Sequence, residues 1–456
     1  IAKKNNHMAA TWLALASLFF YGWWSVQYIP LLLASIGFNY WAAWQIGHAT
    51  GKARSRWVAF AVIADLSLLA YFKYADFFIT SINVIAHANL PVLHVILPIG
   101  ISFYTFQIVG YAFDVYYGVN KPEKNLGIFS LYILFFPKLI AGPIEQSSNL
   151  LQQLHKEQHF DYNRITSGIK LIAWGLFKKV CIADRLSYFV DTAFNTPDEN
   201  VGLKAIVGCY FFLFQIYADF SGYTDMAVGA SRVFGFDLIR NFNRPFISQN
   251  LTEFWKRWHI SLYAWFNEYI YNPISFNFRF WKKWGIIFAI FVTLTLSGLW
   301  HGAAYTFIAY GFIHAIGLTI EYFYSPYREK TKSKIPSLIY KYGSILLTFH
   351  FFLFSLIVFK SDSIHEAFQI ITSFARLNKA QLGIYLFKEK ETELVLSFLM
   401  IGVLVGMEYW QAKTDNYLSF HLKLPSIVRY SIYCLFIIVL VFFASLKTND
   451  FVYAQF

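Results

Sequence analysis

Cysteine is nearly missing from this chain. Cys181, Cys209 and Cys434 lie far apart in 456 residues, which excludes a disulfide framework and a cysteine zinc site. Charge is scarce too. Only 14% of residues are Asp, Glu, Lys or Arg, against about 25% in soluble domains. That deficit excludes disorder, a charged coiled coil and a water-soluble enzyme. Acids are the rarer sign, with 26 Asp and Glu against 38 Lys and Arg, a net +12. In so apolar a chain a basic excess belongs to cytoplasmic loops and anionic headgroups, not to nucleic acid. Apolar and aromatic side chains supply the remainder: 57% of residues are hydrophobic, 21% aromatic, and Phe alone accounts for 50. This is the composition of a multi-pass membrane protein embedded in a lipid bilayer.

A helical span needs about 20 mostly apolar residues. Candidate runs lie at 8–24, 28–46, 57–80, 90–113, 126–142, 165–189, 201–220, 224–236, 285–299, 303–323, 337–359, 392–410 and 427–446. Some are short, and 90–113 is interrupted by Pro98 and Gly100, so the expectation is an all-α fold of about ten or eleven helices, some tilted or re-entrant. No soluble domain fits between them, and residues 1–456 read as a single membrane domain. Basic clusters at Lys52, Arg54 and Arg56, at Lys282–Lys283 and in 328–334 (REKTKSK) mark cytoplasmic loops. The last run then delivers the tail 447–456 to the other side.

Residues 240–302 break the apolar pattern. Asn243-Arg244-Pro245 predicts an extended turn, followed by a helix from about Ser248–Asn250. Leu251, Phe254, Trp255, Trp258, Leu262 and Trp265 recur along one side at helical spacing. Glu253, Lys256, Arg257 and His259 form the other side, with His259 one turn after Trp255. That pattern alone describes an interfacial amphipathic helix. His301 differs, because it lies between two apolar runs with Gly298 and Gly302 on either side, where backbone or a substrate approaches closely. An imidazole inside a helix bundle is a functional candidate by default, and one titrating near pH 6.5 suits proton transfer. No metal-ligand spacing surrounds it. A rival reading takes Asp65, Asp114, Asp219 and Asp225 as an ion or proton path, with Ser221-Gly222 as a helix break between the last two. No internal repeat supports alternating access.

NFNRPFISQNLTEFWKRWHISLYAWFNEYIYNP and SGLWHGAAYTFIAYGFIHAIGL together closely resemble the membrane-bound O-acyltransferase (MBOAT) family, in its bacterial polysaccharide O-acetyltransferase branch. LFFPKLIAGPIEQ at 134–146 is similar to a further motif of that branch. The resemblance implies a ring of tilted helices around a central tunnel, with no permanently bound cofactor and acetyl-CoA as acyl donor. It implies that His301 is the catalytic histidine and His259 a second polar residue of the site. Trp300 and Arg257, inside the same motifs, become wall or donor-contact residues. The ending FVYAQF resembles the FxYxxF tail of this branch, which implies that Tyr453 enters from outside and carries the acyl group transiently. The implied setting is a bacterial cytoplasmic membrane, with an extracytoplasmic polysaccharide-modifying transferase as partner. The acceptor is an envelope polysaccharide, peptidoglycan first and alginate or another exopolysaccharide as the alternative.

Overall fold

A computed structural model describes residues 6–376, 386–387, 390–414, 424–445 and 451. Tyr453 and the rest of the 447–456 tail except Phe451 lie outside the described residues. Helices are the regular elements of the described residues, which hold no strand. Helix α1 (Asn6–Ser25) gives way after a three-residue turn to α2 (Ile29–His48), whose Pro30 sits in the first turn, where a missing N–H costs nothing. Helix α3 (Gly51–Ala86) is longer than the run 57–80 suggested, because its first turns take in the basic cluster. Residues 87–98 are irregular. They are tied to α3 by Asp76, whose carboxylate accepts the Leu93 and Val95 N–H groups at 2.9 Å each. The run 90–113 is therefore not one helix, and only α4 (Ile101–Tyr117) forms from it. Similarly, α5 (Leu126–Leu134), capped by the Asn125 side chain, stops at a kink before Pro137.

Helix α6 (Tyr162–Phe177) continues through a π-helical turn, Lys178–Ala183, into α7 (Asp184–Asn195). Helix α8 runs unbroken over Leu203–Phe234, so Ser221-Gly222 is not the break anticipated there. Then come α9 (Leu251–Trp255), α10 (Ile260–Phe266), α11 (Lys283–His301), α12 (Tyr305–Tyr324), α13 (Ser337–Lys360), α14 (Glu391–Thr414) and α15 (Ser426–Phe443). Among the described residues, eight helical stretches are long and apolar enough to cross a membrane. The all-α, multi-pass fold stands. The stretches number fewer than ten or eleven because the runs 90–113, 126–142 and 165–189 yield none, α8 merges two runs, and the first stretch, Met8–His48, holds both α1 and α2.

The chain divides into two compact units. The first holds Ile1–Ile169, Ala227–Arg240 and Ala264–Pro273. Its centre is α4, buried along nearly its whole length, with several buried polar groups hydrogen-bonded around it. Asn39 donates to Asp65 at 2.8 Å, Tyr269 donates to Asp114 at 2.7 Å, and the Ser147 hydroxyl also donates to Asp114. The second unit holds Lys170–Met226, Asn241–Tyr263 and Ile274 onward. Its aromatic core gathers side chains from α6 to α9 and α12 to α14. Both histidines of the motif region belong to this second unit.

Candidate active site

Helices α11 and α12 form an antiparallel hairpin packed backbone to backbone. A Cβ on Gly298 would meet the Phe307 carbonyl oxygen at 2.2 Å, and one on Gly302 would meet the Phe307 ring at 2.0 Å. The glycines around His301 thus admit the protein's own next helix. The turn at 302–304 ends α11 at His301, which is 4% exposed. Its ring is walled by Trp300 (5.1 Å between ring centres), Phe359 (5.4 Å) and Tyr310 (6.1 Å). The last carbonyls of α11 carry the helix's partial negative charge, which favours a cation at that end.

The segment before α10 departs from the single amphipathic helix expected. Asn250 caps α9 by accepting the Glu253 N–H at 2.8 Å, but the helix stops after Trp255. His259 takes a left-handed backbone, φ +45°, a conformation uncommon outside glycine. It is held there from across the chain. The Asn241 carbonyl accepts the Ile260 N–H at 2.9 Å, the Asn241 side chain accepts the Ser261 N–H at 3.1 Å, and Asn243 N–H reaches the Arg257 carbonyl at 2.9 Å. This break turns His259 off the polar side and buries it to 1% exposure. Its ring packs edge-on against Phe220 (4.6 Å) and Trp300 (5.9 Å). Trp255, expected beside His259, packs instead on His314 at 5.0 Å.

Trp300 therefore touches both imidazoles. Burial, reinforced by the nearby His301, holds His259 well below the ordinary histidine range, so it is neutral at pH 7. Arg257 turns away to pair with Glu253 at 2.8 Å and to donate to the Asn243 carbonyl at 3.2 Å. Tyr453 lies outside the described residues. Phe451, two positions earlier, packs on Tyr223 (4.8 Å) and on Phe220 (6.0 Å), the same ring that covers His259.

Phe220 is gripped from both sides in sequence, a feature the sequence reading missed. At the π-helical turn, Lys178 pairs with Asp225 at 2.6 Å and donates to Ser221 at 3.0 Å. Lys179 pairs with Asp219 at 2.8 Å and Asp184 at 2.9 Å. Gly175 and Gly222 let these helices touch, since a Cβ on Gly175 would stand 2.4 Å from the Gly222 carbonyl oxygen. The four acids considered as an ion path are thus held in hydrogen bonds and ion pairs. The signal available in the sequence was two adjacent lysines in an otherwise apolar run, matched by two aspartates six residues apart.

The sequence profile of the membrane-bound O-acyltransferase family matches residues 123–359, a stretch that contains α5 to α12 and both site histidines. This chain belongs to that family. It is 35% identical to the peptidoglycan O-acetyltransferase of Helicobacter pylori over 406 residues, 83% of this chain and 76% of that one. It is 40% identical to the probable alginate O-acetylase AlgI of Azotobacter vinelandii over 319 residues, 68% of this chain and 62% of the relative. The teichoic acid D-alanyltransferase of Bacillus subtilis is 32% identical over 285 residues, 59% of this chain and 70% of that protein. As an MBOAT protein it is a membrane O-acyltransferase, and the ion-path reading gives way to acyl transfer.

Proposed function

We propose that this MBOAT protein moves acetyl from cytoplasmic acetyl-CoA across the bacterial cytoplasmic membrane for O-acetylation of an envelope polysaccharide, peptidoglycan first. The observation that carries this reading is the meeting of two histidines, 42 positions apart in the chain, on the ring of Trp300. The relatives named for peptidoglycan and alginate acetylation favour acetyl as the group transferred.

In this mechanism His301 takes the proton of an attacking hydroxyl as its oxygen bonds to the thioester carbonyl carbon. The C–S bond then breaks, and the proton passes from His301 to the departing thiolate. With His259 held neutral, the positive charge has one place to form, at the helix end that favours it. Trp300 walls the site. Lys256 adds positive charge for the anionic donor, beside Arg257, whose charge Glu253 offsets.

Tyr453 is the first acceptor. Phe451 packs on the ring that covers His259, and two residues of chain span about 7 Å, which supports a tyrosyl hydroxyl reaching the site. A phenol with pKa near 10 leaves more readily than a sugar alkoxide, so its acetyl ester passes on without further energy input. The onward step, attack by a polysaccharide hydroxyl with release of the tyrosine, belongs to an extracytoplasmic transferase.

The test uses the full chain in proteoliposomes with labelled acetyl-CoA, peptidoglycan fragments and alginate oligomers. His301→Ala should lower acetyl transfer by about 10²–10⁴-fold with the melting temperature retained. Undiminished turnover overturns the assignment of His301. Mass spectrometry should find label on Tyr453, and a label-free tail with continued transfer removes the relay. Transfer to alginate but not to peptidoglycan reassigns the polysaccharide.

A further inference from the structure

His314 lies on α12 with no exposure at all, thirteen residues past His301, and takes no part in the chemistry above. Its Nε2 stands 3.0 Å from Ser355 Oγ on α13. The Ser355 hydroxyl gives its one hydrogen to the Phe352 carbonyl at 2.7 Å. A hydroxyl has a single hydrogen to give; with it on the Phe352 carbonyl, Ser355 Oγ accepts from Nε2–H of His314, the tautomer that satisfies both contacts. That polarity is the reverse of a base activating a serine. The pair is an anchor between α12 and α13.

The anchored ring touches both arms of the active site. On one side it meets Trp255 (5.0 Å, edge-on), which ends the helix immediately before the turn that buries His259. On the other it meets Tyr310 (4.6 Å), whose ring stands perpendicular to His301 at 6.1 Å. Tyr310 in turn packs on Phe359 (5.1 Å), a second wall of His301 and, like Ser355, part of α13. Each such aromatic contact has a preferred geometry, so rotation of the central ring disturbs both neighbours.

We infer that His314, locked by Ser355, is a positioning residue that sets the placement of His259 and His301 relative to each other through Trp255 and Tyr310. The inference rests on the proposed role of His301 as proton acceptor.

Three variants of the full chain test it: His314→Ala, His314→Gln, whose amide can still donate to Ser355, and Ser355→Ala. In detergent with acetyl-CoA, His314→Ala should lower kcat for CoA release about 100-fold, as a displacement near 1 Å does, with KM within about twofold. His314→Gln should recover about tenfold of that loss through the retained hydrogen bond, and Ser355→Ala should fall between the two. Carbethoxylation by diethyl pyrocarbonate, read at each histidine by mass spectrometry, should rise several-fold at His259 and His301 in His314→Ala. An unchanged kcat, an effect on KM alone, or a loss that Gln does not relieve and that tracks the folded fraction overturns the positioning role. If the wild-type chain releases no CoA, the acetyl-CoA reading fails. The modification rates still decide the inference, since unchanged rates at both histidines reject it.

Discussion

His259 shows how one residue's backbone decides its chemistry. In a continuous helix it shares a side with Glu253, Lys256 and Arg257. The left-handed turn at φ +45° instead drives it inward among Phe220 and Trp300. The buried ring resists protonation, whereas the same side chain in an unfolded chain takes a proton below about pH 6.5. The unfolded state then binds more protons, so stability rises with pH up to about 6.5 and falls as the pH drops below it. Melting in detergent from pH 5 to 7.5 should show this acid loss, and His259→Gln should make it shallower. An equally steep profile in the variant would place the titrating group elsewhere. His301, His259 and Trp300 were legible because all three sit in motifs beside abrupt changes in polarity. Arg257 was legible as a motif member, but its ion pair with Glu253 was not. Asn241, Phe220, Tyr310 and Phe359 carry no chemical signature and become part of the site only by packing.

Elements here are shaped by where the backbone departs from regularity. The π-helical turn at Lys178–Ala183 offers the place where two successive lysines both meet α8. Asp219 and Asp184 are almost wholly buried, and Lys179 is the cation they share. Lys179→Met should destabilise the protein by about 3–5 kcal/mol, because breaking a buried pair strands its charge. A double variant that also carries Asp219→Asn should recover part of that loss. Both are read from denaturation midpoints in detergent, and an unperturbed single variant would show that the pair is screened. The existence of α6, α7 and α8 could be read from hydropathy. The continuity of α8 could not, since Ser221-Gly222 resembles a break and is in fact the contact where α8 meets Gly175.

For the molecule as a whole, the proposed relay demands that the tail and the REKTKSK loop face opposite compartments. Three candidate spans, Ser337–Lys360, Glu391–Ala412 and Ser426–Phe443, separate them, and an odd number of crossings changes sides. With Cys434 replaced by serine, an impermeant maleimide should label Thr448→Cys in intact cells. It should reach Ser333→Cys only after the membrane is opened. Labelling of both from one side would remove the relay while leaving His301 untouched.

Hydropathy was enough to establish a helical membrane protein, and abrupt changes in polarity marked the segment that holds the two histidines. Transfer of each side chain into lipid is nearly additive along the chain, so local sums suffice. They cannot tell lipid from protein as the apolar surroundings. Helix α4 is buried along nearly its whole length while α15 has no buried residue, yet both read as apolar runs. Folding alone brought Trp300 against His259, set Lys178 onto Asp225 and Lys179 onto Asp219, and tied His314 to Ser355. Each of these contacts joins residues about 40 positions apart, and their register depends on a turn, a glycine crossing or a left-handed residue whose effect is felt only when helices pack.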